Sequence, residues 1–140
     1  MIADNIIFTD ISFDPKSKMA VMGYINNDVL FTNILLQTRN TEAEIKCIIW
    51  MIKSLTFKSH LLYTVYTDCK RAVDLQYKPS LKKPVYAELI ALLQLNSNIR
   101  LVHIYGHKAS DEKTDIDHKF SVLDNSVRQL MRKERDSMLM

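Results

Sequence analysis

Between Asn5 and Leu36 the chain carries three short runs of strand-forming sequence separated by tight turns. Residues 5–11 (NIIFTDI) are rich in β-branched and aromatic side chains, and residues 18–26 (KMAVMGYIN) and 29–36 (VLFTNILL) repeat that character. Asp14-Pro15-Lys16-Ser17 and Asn26-Asn27-Asp28 are turn sequences. Parallel strands need a crossover of a dozen residues or more, so strands linked this closely imply an antiparallel meander.

After the meander the period of the pattern changes. From Thr41, the apolar residues Ile45, Ile48, Ile49, Ile52 and Leu55 recur at three- and four-residue steps, the stripe of an amphipathic helix. Thr41 followed by Glu44 predicts a capping box at its start. Residues 62–67 (LYTVYT) read as a fourth strand, 69–76 as a short helix, 85–95 as a helix led in by Pro84, and 99–105 as a fifth strand. Gly106 to Thr114 is polar and reads as a loop, and the last helix is expected from Asp115 to Arg135. A meander followed by alternating units predicts an α/β fold with a five-stranded mixed sheet. It joins an antiparallel three-strand meander to two parallel strands, with helices on both faces. Residues 1–135 are expected to form one domain and 136–140 a disordered tail.

Composition narrows the function classes. Of the 140 residues, 47% are hydrophobic and 25% charged, ordinary for a globular domain, and 2 glycines and 3 prolines leave little room for linkers. A net charge of +3 is too mild to declare nucleic-acid binding by itself. The N-terminal MIADNIIFTD lacks the basic and apolar regions of a secretory signal, and no run approaches the ~18 apolar residues of a membrane span. A cytoplasmic protein is therefore expected, with Cys47 and Cys69 unpaired. Cys47, Cys69, His103, His107 and His118 show no zinc-ligand spacing, and neither a phosphate-binding Gly-rich loop nor a G-x-S-x-G elbow is present.

The informative feature is the placing of the carboxylates. Asp10 lies near the end of a largely apolar strand and Asp68 just past the end of another. Glu44 stands in the first turn of one helix and Asp117 in that of another, each bordering an apolar stripe. Taken singly, such residues are ordinarily turn formers, helix caps or dipole partners. If all four converge, their repulsion is strong, and a bound cation makes the cluster tolerable.

The segments IFTDIS (7–12), NTEAEIKCIIWMIKSL (40–55), VYTDCKRAV (65–73) and IYGHKASDEKTDIDHKF (104–120) resemble the signature blocks of type 1 ribonuclease H. The resemblance extends from Ile6 to about Arg132. It implies that Asp10, Glu44, Asp68 and Asp117 bind two Mg²⁺ ions, with Mn²⁺ as a substitute, and that His107 carries protons. His107 stands ten residues before Asp117, the family's spacing, while Asp115 and Asp124 are alternatives in a shifted register. Asn40 matches a minor-groove contact, and Lys70, Arg71, Lys82 and Lys83 are candidates for phosphate contact.

The implied reaction is hydrolysis of the RNA strand of an RNA–DNA hybrid by a monomeric endonuclease. The alternatives are a nuclease of the same fold acting on DNA or structured nucleic acid, and a binding module that cuts nothing. Three departures bear on the choice. Ile11 replaces the glycine usual after the first aspartate, and Lys70 stands where a substrate-reading amide is common. The basic protrusion of some members is reduced to KPSLKKP.

Overall fold

A computed structural model describes residues 5–105 and 113–138. In chain order they form β1 (Asn5–Asp14), β2 (Met19–Asn26), β3 (Val29–Leu35), α1 (Asn40–Ser54) and β4 (Tyr63–Thr67). Then follow α2 (Lys70–Leu75), α3 (Pro84–Leu95), β5 (Ile99–His103) and α4 (Asp115–Met138). The protein is α/β, with one five-stranded mixed sheet in the order β3-β2-β1-β4-β5.

The meander forms as its turns dictate. Asn27 and Asp28 take φ values of 52° and 62°, the left-handed pair that a tight hairpin requires and that these residues tolerate. β1 is central. It runs antiparallel to β2, with Asp10 opposite Gly23, and parallel to β4, with Phe8 opposite Tyr66. β4 and β5 are also parallel, and α1 and then α2 and α3 supply the crossovers that parallel pairing needs.

Successive residues of a strand point to opposite faces, so burial of both faces of β1 makes two cores. Ile7, Val65 and Leu101 pack with Ile45, Ile48 and Met51 of α1 and Leu89 of α3. Phe8, Val21 and Ile104 pack on the other face with Phe120, Leu123, Val127 and Met131 of α4. The continuous apolar run in β1 is explained by this cover on each side.

Two helix ends differ from the sequence expectation. α1 begins at Asn40 with Arg39 as N-cap and no side-chain capping bond, so Thr41 and Glu44 do not form the expected box. With the N-cap two residues earlier than Thr41, Glu44 is turned half-buried toward Cys69 instead. The reciprocal box forms at α4. Thr114 Oγ1 accepts from the Asp117 N–H at 3.2 Å, and the Asp117 carboxylate accepts from the Thr114 N–H at 2.9 Å. α4 also continues to Met138, where the sequence suggests a disordered tail after Arg135.

Candidate active site

The centre of the site follows from strand register. Phe8 and Tyr66 are the last paired residues of β1 and β4, and two residues further along each chain stand Asp10 and Asp68. Neighbouring strands run about 4.8 Å apart, so two carboxylates are set together at the carboxyl ends of adjacent parallel strands. That edge is where open α/β sheets habitually bind ligands.

A third carboxylate comes from α4, and the reason lies in β2. A Cβ on Gly23 would stand 2.7 Å from Val127 Cγ1 and 3.0 Å from Leu123 Cδ1. The missing side chain lets the helix lie close on the sheet at the position opposite Asp10. Leu123 and Val127, both fully buried, fix the helix there, and Asp124 follows Leu123. Asp124 shares a side-chain hydrogen bond with Asp10. Its Oδ1 also accepts from Arg128 Nε at 3.2 Å.

Asp10 is 6% exposed, and its Oδ2 has no hydrogen-bond partner. Burial, then the charge of Asp68, then the hydrogen bond and charge of Asp124 push its carboxyl up to about 9, against a small opposing pull from the Ile11 N–H. Burial and the acidic neighbours therefore favour the protonated form of the Asp10 carboxyl. Glu44 reaches the same region from α1. Burial and Asp68 raise its pKa, and the Cys69 thiol, donating to it, works the other way.

The two thiols are supports rather than nucleophiles. Cys47 is fully buried, with Sγ 3.5 Å from the Asp10 carbonyl and 3.4 Å from that of Gly23, and burial pushes its thiol far up. Cys69 is pushed up to about 12, first by burial and then by Glu44. Both are unpaired.

Beside the carboxylates lies a polar cleft of about 190 Å³, whose lining includes Asp68, Tyr105, Lys113, Asp117, Asp124 and Arg128. Asp117 and Asp124 are seven residues apart, close to two helical turns or ~10 Å, and both face this cleft. The α4 residue set against Asp10 is Asp124. The carboxylate of Asp117 accepts from Thr114 N and Oγ1 at 2.9 and 3.0 Å, closing the start of its own helix. The spacing from His107 points to Asp117, which lines the same cleft, and Asp124, the shifted-register alternative, is the residue bonded to Asp10. Gly23 opposite Asp10 is the sequence signal for the close approach of α4, on which Asp124 follows the fully buried Leu123.

The remaining candidates are more scattered. Asn40 is exposed at the first turn of α1, beside a hollow lined with Phe13, Lys18 and Arg39. Lys70 and Arg71 open α2, exposed and close in sequence to Asp68. Lys82 and Lys83 are exposed ahead of α3, with Lys83 Nζ 5.8 Å from the centre of the Tyr86 ring. His107 lies outside the described residues. Among the described residues no three His, Cys, Asp or Glu side chains converge closely enough to hold an ion as they stand, and no helix is long and apolar enough to cross a membrane. Comparison with protein-family models and with curated proteins gives no match.

Proposed function

We propose that this chain is a cytoplasmic, metal-dependent endonuclease with a ribonuclease H-like fold that hydrolyses the RNA strand of RNA–DNA hybrids. The observation that carries the reading is Asp10. It is a buried carboxylate on the central strand with an unpartnered Oδ2, pressed by Asp68 and Asp124. Such a group raises the free energy of the fold unless something offsets it. A proton offsets part of it, and a divalent cation would offset more.

The donor set fits that cation. Carboxylate oxygens are the ligands that a hard ion such as Mg²⁺ prefers, with Mn²⁺ a close substitute. Asp10, Glu44, Asp68 and Asp124 would hold it, with Asp124 replacing Asp117 as the ligand from α4. Two ions bound there would lower the pKa of a water nucleophile and neutralise the charge developing on the leaving oxygen. The chain's own residues do the rest. Asp10 would release its proton to solvent if a cation were bound there. Lys113 and Arg128 place positive charge in the cleft, where a phosphodiester must lie. Lys70 and Arg71 extend that charge along the strand end, and Asn40 is the candidate minor-groove contact, with Lys82 and Lys83 on the phosphates beyond. His107, by resemblance, carries protons near neutrality.

The test is cleavage of a labelled RNA–DNA hybrid in Mg²⁺ and in Mn²⁺, beside double-stranded DNA, double-stranded RNA and an Asp68→Asn control. The expected result is cutting of the RNA strand of the hybrid alone, lost in the variant. Cutting of DNA instead would make the chain a nuclease of another substrate, a possibility that Ile11 keeps open. No cutting of any substrate by folded protein would leave a binding module.

A further inference from the structure

β3 forms one edge of the sheet and is built unlike a protected edge. Val29, Leu30, Phe31 and Ile34 are all exposed, as is Leu36 just beyond, and from Val29 to Thr38 there is no charged residue and no proline. Its register with β2 is unbroken from Asn26–Val29 to Ala20–Leu35, so no bulge twists the edge away. Edge strands normally carry one of these devices, because a bare edge is a template for another strand.

The hydrogen-bonding parity of that edge can be read directly. The Ile34 N–H is not given to β2. It donates to Asn33 Oδ1 at 2.8 Å, so Ile34 is one of the outward-directed residues. In an antiparallel ladder this direction alternates, and Thr32 and Leu30 share it. Their side chains share one face as well. Thr32 is opposite Gly23, whose missing Cβ points at Leu123 and Val127 of α4. The alternate residue Phe31 lies on the α1 face, stacked 4.9 Å from the Tyr24 ring.

We propose that two copies of this chain pair antiparallel through β3 about a twofold axis at Thr32, joining their sheets into one. Three features favour a second copy as the occupant. The strand is symmetric about Thr32 in hydrogen-bonding parity, so Thr32 meets Thr32 and Leu30 meets Ile34 of the second copy with every outward group directed at a partner. The pairing sets Leu30 against Ile34 and Val29 against Leu35, with Thr32 on the axis, the kind of cross-strand contact that favours association. The strand is uncharged, so self-pairing brings no like charges together. Association exchanges the short-range bond of Asn33 to the Ile34 N–H for one between copies. This inference does not rest on the nuclease reading.

The test is sedimentation equilibrium of the full chain over a concentration series, with Ile34→Lys and Thr32→Pro beside the wild type. The wild type is expected to approach twice 16.3 kDa. Ile34→Lys should weaken association at least tenfold by setting a charge against Leu30, and Thr32→Pro should act by removing the central outward donor. Far-UV circular dichroism checks that both variants fold. A second readout is independent of them. Two residues facing each other in a hydrogen-bonded antiparallel pair have Cα atoms ~5.5 Å apart, inside the ~4.4–6.8 Å range of a disulfide. Thr32→Cys should therefore cross-link under mild oxidation, whereas Asn33→Cys, off the axis and on the other face, should not. A monomer at every concentration, a dimer indifferent to both substitutions, or equal cross-linking from positions 32 and 33 would overturn the proposal.

Discussion

Replacing Asp10 with asparagine should stabilise the protein above neutral pH while destroying the site. The carboxyl of Asp10 sits at about 9 in the fold against 3.8 for the ordinary group, raised first by burial and then by Asp68 and Asp124. Because the folded value lies above the unfolded one, the folded state binds the extra proton. Its contribution is fully present below the unfolded value and is lost as pH rises toward the folded one. Each pH unit in that window changes stability by at most ~1.4 kcal/mol per proton. Between about pH 5 and pH 8 the wild type should thus lose up to ~4 kcal/mol through this group. The expectation is about 2–4 kcal/mol, a large share of a typical domain stability of ~5–15 kcal/mol. The asparagine side chain has the same shape without the charge, so Asp10→Asn should show a flatter profile and exceed the wild type at the alkaline end. Urea unfolding followed by the fluorescence of the single tryptophan, Trp50, in metal-free buffer at both pH values, reads this directly. Equal slopes in the two proteins, or a variant less stable than wild type at about pH 8, would refute the reasoning that Asp10 is a buried, proton-holding acid.

Further outcomes follow from the same geometry. Asp124→Asn should reduce hybrid cleavage at least a hundredfold at near-unchanged stability. Asp117→Asn should leave most activity and lower stability by about 1 kcal/mol, the usual effect of weakening a helix cap; a cleavage assay beside thermal unfolding separates the two. Gly23→Ala should cost about 1–3 kcal/mol, because its Cβ meets Val127 at 2.7 Å. It should also lower activity by shifting α4, and with it Asp124, away from Asp10. Leu123→Ala should cost about 2–5 kcal/mol for the lost packing and the cavity left behind.

The parts of the fold governed by local physics are legible in the sequence. The Asn26-Asn27-Asp28 turn, the apolar runs of β1 and β2 and the helical stripe of α1 each report a backbone geometry through nearest neighbours, and the meander and mixed sheet follow from them. Asp10 and Asp68 are legible because a charge at the end of an apolar strand conflicts with its surroundings. What escapes the sequence depends on tertiary contact. The N-cap of α1 is displaced by two residues, from Thr41 to Arg39, and the side chain of Glu44 faces Cys69 rather than the helix end. Counting from His107 reaches Asp117, which lines the cleft, but does not single out Asp124, because the approach of Asp124 to Asp10 depends on the packing of Leu123 and Val127 over Gly23. The capping box expected at Thr41 forms instead at Thr114, where its acid, Asp117, is the residue that the family resemblance assigns to the metal.

The central claim is that Asp10, Asp68 and Asp124, with Glu44, form a divalent-cation site. Calorimetric titration of Mn²⁺ into the full chain, with proton release measured in buffers of different ionisation enthalpy, tests it most directly. The account predicts saturable binding that releases the Asp10 proton at neutral pH, abolished by Asp10→Asn and by Asp124→Asn and retained by Asp117→Asn. Binding that persists without Asp10, or that depends on Asp117 and not on Asp124, would contradict it.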